Sequence, residues 1–338
     1  IAWVGEEAPV IYRNGEKYLY VDITYELAVG SRGATYSDFV NGNNRIKDYN
    51  LYNKYMVHCY EIGKLAAKDG EVEYYIVLKC NGYEYKSNVL KLTLATCSHP
   101  EDSFSYENDG FVICGICDAL IEAEVVDADG KSLGYADIES AIKLAQENEG
   151  STVKLMSEGV SESITVTGGR FTVDFNGKKV FYQFDVNGGD VTFTSSVKQA
   201  DVETLISGIT VNGTDAKVTI DGKIKLGSVT LTSGALAVNS TDGYIKELSI
   251  NGGATVINGA NIDALKTYGG DTVINDVNAD SLTMCDNRSG GSEYNISIVS
   301  GMFGSFTCEN GSNYTLGRAI ASGSVVSADS MNGIAVYT

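Results

Sequence analysis

From about Gly150 to Thr338 the chain is a succession of short runs in which apolar and hydroxyl-bearing residues alternate, each cut by Gly, Asn or Asp. Ser163-Ile164-Thr165-Val166-Thr167 precedes Gly168-Gly169, Phe171-Thr172-Val173-Asp174-Phe175 precedes Asn176-Gly177, and Lys217-Val218-Thr219-Ile220 precedes Asp221-Gly222. A period of two is the strand pattern, and turn residues at such short intervals leave no room for a helix. The same grammar of strand, Asn-Gly, strand returns at Val186–Phe193, Ile209–Gly213, Leu248–Gly253 and Ala254–Gly259. Its spacing is irregular, which argues against a metal-binding nonapeptide array and predicts a right-handed parallel β-helix with about three short strands per coil. Val, Ile, Leu and Phe are expected inside in stacked rows, with Thr, Ser and Lys alternating outward. Tandem sandwiches, the other all-β solution, would need longer strands.

One helix stands out before this series. In Tyr135–Glu147 the apolar residues Ile138, Ala141, Ile142 and Ala145 fall at the i, i+3, i+4, i+7 spacing of an amphipathic helix, with Asn148 and Gly150 as a stop. A solenoid exposes an apolar end at its first coil, so this helix is expected to be the cap. Residues 1–95 have a different texture. They hold 13 of the 21 tyrosines, and the runs Tyr18–Tyr25, Glu73–Lys79 and Ser87–Leu94 alternate over longer stretches, with Asn81-Gly82 as a hairpin turn between the last two. This predicts a β-sandwich, in which Cys59 and Cys80 form an inter-sheet disulfide or sit as separate buried thiols.

The segment between holds Cys97-Ser98-His99 and, 14 residues on, Cys114-Gly115-Ile116-Cys117. Two tight loops that each bring two donors match the count and pairing of a tetrahedral zinc site, and a full set of four leaves no position for substrate. Cys97, His99, Cys114 and Cys117 are therefore the candidate structural zinc ligands. A disulfide from Cys97 to Cys114 or Cys117, or uncombined thiols, are the competing states. Cys285 and Cys308 recur about one coil apart; if Leu282 and Phe306 point inward so do Met284 and Cys308, and Cys285 points out.

Charge narrows the function. The chain of 338 residues carries a net charge of −19, with no basic stripe to displace counterions from phosphates, so nucleic acid and anionic membrane are excluded as partners. No run of 18 apolar residues is present, so no membrane insertion is expected. A sequence that opens Ile1-Ala2-Trp3 is read as one whose signal peptide has been removed, or as a trimmed piece of a larger protein. His58 and His99 are the two histidines, which leaves Ser-His-Asp or Cys-His catalysis without a base. Lyases of acidic polysaccharides need clustered carboxylates beside an Arg or Lys, but Arg170, Arg288 and Arg318 are scattered, and Asp174, Asp185 and Asp190 sit where turn residues are expected. The Asp-Asp and Gly-His-Gly motifs of polygalacturonase-type hydrolases are absent, and the sole Arg45-Ile46-Lys47 falls in the first domain.

Three segments resemble parts of one group of proteins. The Tyr-rich strand, short turn and Ser-Asn-Val strand before residue 95 resemble the final strand pair of immunoglobulin-like modules in bacterial surface proteins. Tyr135–Val180, with its Ile-x-x-Ala-Ile helix, Thr152-Val153-Lys154-Leu155 strand and Asp174-Phe175-Asn176-Gly177, resembles a stretch of pectate-lyase-like surface proteins of anaerobic Gram-positive bacteria. The Cys-x-His and Cys-x-x-Cys pair resembles short modules threaded between domains of those proteins. The resemblance implies an all-β chain: an immunoglobulin-like sandwich over 1–95, a Cys/His knuckle linker over 96–125, and a parallel β-helix with its cap helix over 126–338. It further implies a non-enzymatic extracellular or cell-surface adhesin or stalk, with a glycan or host surface protein as partner. The alternative is a polysaccharide lyase or glycoside hydrolase acting on the β-helix face.

Overall fold

The computed structural model describes, before residue 90, the strands Val10–Arg13, Tyr18–Glu26, Val40–Asn41, Asn44–Arg45, Tyr55–Lys64, Gly70–Tyr74, Val77–Cys80 and Tyr83–Lys86 as backbone. From Leu90 it describes the chain except residues 108, 159–161, 198–206, 286–294, 310–315 and 330–332, with side chains from Ala95 onward save 285, 309, 316, 328 and 329. The chain divides into two compact units, Ile1–Ser103 with Cys114–Ala119, and Phe104–Ile113 with Leu120–Thr338.

In the first unit, Gly70–Tyr74 pairs antiparallel with Leu90–Thr96, and Val77–Cys80 with Tyr83–Lys86. Of the expected strand Glu73–Lys79, residues 73–74 and 77–79 lie in described strands, and of its expected partner Ser87–Leu94, residues 90–94 do; the positions between lie outside the described residues. Val10–Arg13 adds to the same sheet in parallel, while Tyr18–Glu26 pairs with Tyr55–Lys64 and sets Asp22 opposite Cys59. The side chains on which an immunoglobulin-like sandwich, or a Cys59–Cys80 bridge, would be judged lie outside the described residues.

The second unit is a parallel β-solenoid of about seven turns. Strands Ser151–Leu155, Ser163–Asp174 and Gln183–Thr194, and later Ala235–Ile250, Ala254–Thr267 and Asp271–Cys285, each pair in parallel with the next coil. Register turns the alternation into columns. Val153, Val173, Phe193, Ile220, Val238, Ile257, Ile274 and Ile298 succeed one another, all 0% exposed. Burying each such side chain contributes about 1.5–3 kcal/mol, so a continuous row stabilises the coil stack without long-range loops. The expectation of separate short strands is corrected in one respect: strands of 12 to 16 residues run through the corners and bend there.

The bends explain the Gly-rich grammar. Gly169, Gly189, Gly234, Gly253 and Gly270 all have left-handed φ between +72° and +90°, and they stack coil on coil. A Cβ built on Gly270 would lie 2.5 Å from the Gly253 carbonyl oxygen, so both the φ and the close approach require glycine there.

Antiparallel hairpins flank the parallel series at both ends. Ala123–Val126 pairs antiparallel with Ser132–Ala136 and with Ser151–Leu155, and Gly333–Tyr337 pairs antiparallel with Gly301–Glu309 and Val325–Asp329. The helix Ile138–Glu147 forms where its periodicity predicts it. Asp137 is its N-cap, accepting from Ser140 N at 2.8 Å, and Ile138, Ala141, Ile142 and Ala145 enter the same core as Val153, Ile164 and Phe171. At the other end alternation gives the direction of Cys308 but not its burial. It pairs in register with the fully buried Met284 yet is exposed: among the described residues Gly333–Tyr337 covers Gly301–Phe303, and no described strand pairs with the far part of that coil.

Candidate metal centre

Cys97 and His99 follow directly on the strand Leu90–Thr96, and Cys114 closes the strand Val112–Cys114 before a turn that carries Cys117. The turn is held by Asp118 N donating to Cys114 O at 2.8 Å and Cys114 N donating to Ala119 O at 2.9 Å, with Asp118 at φ +58°. The first loop bends at His99, φ +48°, whose amide donates to Cys97 Sγ at 3.4 Å. Gly115 N donates to Ser103 O at 2.8 Å and locks the loops together; a Cβ at Gly115 would itself lie 2.8 Å from that oxygen. Glycine is therefore needed at position 115 for the approach of a second segment.

These contacts bring all four predicted ligand residues into one group, with every ligand atom within 4.8 Å of the others. Cys97, Cys114 and Cys117 are buried and His99 is half-buried. Cys97 Sγ lies 3.8 Å from Cys114 Sγ, and Cys117 Sγ 3.5 Å from His99 Nδ1. No disulfide joins the cysteines of this group. A tetrahedral zinc with bonds of about 2.3 Å to sulfur and 2.0–2.1 Å to nitrogen separates its ligands by about 3.8 Å for S···S and about 3.5 Å for S···N. The donor set fits a thiophilic four-coordinate metal in number, softness and spacing, and it would hold the ion through three sulfurs and Nδ1.

Electrostatics divides the sulfurs. Burial opposes the Cys114 thiolate, but hydrogen bonds from His99, Ser103 and the Ile116 and Cys117 backbone outweigh it and bring the thiol from 9.0 down to about 6. Burial and the neighbouring Cys114 and Cys97 push Cys117 up to about 12. Metal binding must therefore expel protons from this group. Ser103, whose Oγ lies 3.5 Å from Cys114 Sγ, was not singled out from sequence; nothing in the local pattern marks a serine 11 residues away as a thiol's neighbour.

The acids considered as catalytic candidates do not converge. Asp174 Oδ1 accepts from Asn176 N and Ser196 N, both at 2.8 Å, as a buried turn residue. Asp190 stands in register between Arg170 and Lys217, and Asp185 stands on the other side of the Gly188-Gly189 bend between Thr165 and Thr210. Arg170 pairs with Glu149 at 2.9 Å, Arg318 lies on the short helix Leu316–Ala319, and Arg288 falls outside the described residues. The outer wall otherwise carries Thr210, Thr230, Ser249, Lys266, Thr283 and Thr307 in one column, with Lys266 donating to Glu247 Oε2 at 2.8 Å and the Tyr244 hydroxyl donating to Asp263. The Lys266 ammonium holds the Glu247 carboxyl below its ordinary value.

One buried carboxylate sits apart from both. Glu122 accepts from Ile138 N at 2.7 Å and from the Tyr182 hydroxyl at 3.1 Å, and burial pushes its carboxyl up from the ordinary 4.5. Among the described residues no helix is long and apolar enough to cross a membrane. Compared with known proteins, the chain matches no family model, no curated protein and no solved structure.

Proposed function

We propose that the chain is a non-enzymatic exported or cell-surface protein, an adhesin or stalk segment of the pectate-lyase-like kind, in which zinc staples the knuckle and the right-handed solenoid is a stiff spacer. Its wall of hydroxyl and amide groups contacts a glycan or a host surface protein. The observation that carries this reading is how the wall spends its charged groups. Asp174 makes a turn, Glu247 pairs with Lys266, Asp263 accepts from Tyr244, and Arg170 pairs with Glu149. Glycosidic cleavage or elimination requires two such groups poised on either side of one sugar ring, with a proton to give and a proton to take. Ladder contacts of this kind instead stiffen a column and leave rows of Thr and Ser for weak, repeated contacts.

The test uses the full chain on a glycan array and in incubations with acidic polysaccharides and host glycans. The expected result is retention on a subset of glycans without release of reducing or unsaturated ends. Release that disappears in Asp263→Asn or Glu247→Gln would assign the chain to the hydrolases or lyases instead. Elemental analysis of chelator-free protein is expected to give about one zinc per chain, as a closed four-ligand site requires. Protein that stays metal-free after incubation with zinc would remove the staple from this reading.

A further inference from the structure

We propose that the knuckle has two interchangeable states, a metal–thiolate state and a state in which Cys97 and Cys114 are joined as a disulfide, so that a peroxide-class oxidant expels the metal. The proposal rests on the zinc reading above and adds the regulation of that site. Two observations favour this pair and another identifies its competitor. The two sulfurs are 3.8 Å apart, so a disulfide of about 2.05 Å asks them to close by less than 2 Å. Cys117 Sγ lies 3.5 Å from His99 Nδ1 and also interacts with Cys114 and Cys97, so the competing links run through it. The loops that carry the pair are clamped independently of any metal, by Gly115 N donating to Ser103 O at 2.8 Å, so the partners stay opposed when the ion leaves.

A protein placed in oxidising surroundings keeps such thiols only while a metal holds them, which gives the exchange its driving force. One thiolate attacks a peroxide oxygen; the S–O bond forms, the O–O bond breaks, and the departing hydroxide is protonated to water. The second thiolate attacks the resulting sulfenic sulfur, the S–S bond forms, and a second water leaves after protonation. The two sulfurs supply the two electrons that the peroxide takes up. The metal then retains Cys117 and His99, two ligands of four, and dissociates. Either state ties the chain after Thr96 to the turn at Cys114–Cys117.

The experiment titrates the zinc-loaded full chain with hydrogen peroxide, reading released metal with a colorimetric chelator and the linkage by peptide mass mapping without reduction. One zinc is expected to leave for each Cys97–Cys114 link formed, and a phosphine reductant with added zinc is expected to restore the loaded state. Release accompanied by a Cys114–Cys117 link, or by sulfinic acids without any link, overturns the two-state knuckle and leaves the zinc reading standing; so does zinc retained in excess peroxide. A chain that takes up no zinc at all overturns both. Gly115→Ala, which pushes the loops apart without touching a ligand, is expected to slow formation of the link in metal-stripped protein; an unchanged rate counts against the clamp.

Discussion

In the knuckle, four side chains with metal-type donors lie within 4.8 Å of one another across two loops, with Cys97, Cys114 and Cys117 buried. In the solenoid, rows such as Val238, Ile257, Ile274 and Ile298 hold the chain with no polar atom at all. With a metal bound as proposed, the first kind of order is concentrated in a few coordinate bonds and fails when one donor is lost. The second is spread over many contacts, each worth a fraction of the whole, and fails by degrees. A short segment with too little apolar surface to bury uses the first; a repetitive chain that can stack uses the second.

Removing one ligand breaks this comparison most severely. Structural zinc sites in small peptides are worth about 10–16 kcal/mol, so Cys114→Ser is expected to abolish zinc retention while leaving the denaturant transition of the solenoid in place, read by metal content and by circular dichroism on the same samples. A solenoid that unfolds with the metal would erase the distinction. Next comes Phe184→Ala, whose ring packs on Phe193 at 5.0 Å, Tyr182 at 5.8 Å and Phe175 at 6.2 Å. It is expected to cost about 3–5 kcal/mol in urea unfolding with zinc content unchanged.

Gly270→Ala tests the corner stack. A left-handed φ in a non-glycine residue costs about 1–2 kcal/mol, and the contact with the Gly253 carbonyl adds to it, so a loss of about 2 kcal/mol or more is expected. Thr255 and Thr272 sharpen the picture in the other direction. They stand one above the other in an inward column between Leu236 and Ile296, buried, with neither hydroxyl hydrogen-bonded. Thr→Val at either is expected to raise stability by about 1 kcal/mol, since an unsatisfied buried hydroxyl is replaced by a methyl of the same shape. A loss would mean that the rows tolerate polarity better than the comparison holds.

The smallest effect is the pH response of Glu122. Its folded-state carboxyl lies above the unfolded value near 4.5, so the folded form binds the proton more tightly. The contribution is present in acid and is lost as pH rises from about 4.5 through the higher folded value. Glu122→Gln is expected to flatten that part of the stability curve relative to the parent chain, in thermal melts across acidic to neutral pH. Glu162, raised by burial and then by Glu139 and Asp137, keeps its own contribution in the variant.

Much of this was legible before any coordinates. The helix Ile138–Glu147 follows from four apolar residues at helical spacing, and the four candidate ligands of the knuckle follow from residue type and loop length, because both are local properties of the chain. For Cys308, alternation says which way the side chain points but not whether another coil lies beyond it. The strands were expected to be short because Gly-Gly and Asn-Gly read as breaks; stacked on one another they become corners through which a strand continues.

The sequence by itself determined that the later chain alternates for strands and turns at glycine and asparagine, and that two loops before it carry four metal-type donors. Only the tertiary structure decided which residues stack in each column, that Cys97 faces Cys114 while Cys117 faces His99, that Gly115 is pressed against Ser103, and that Glu122 is buried beneath the cap helix. The division has a physical cause. Periodicity and ligand type are written within a few neighbouring residues, whereas register, burial and sulfur-to-sulfur distance depend on segments that meet only when the chain has folded.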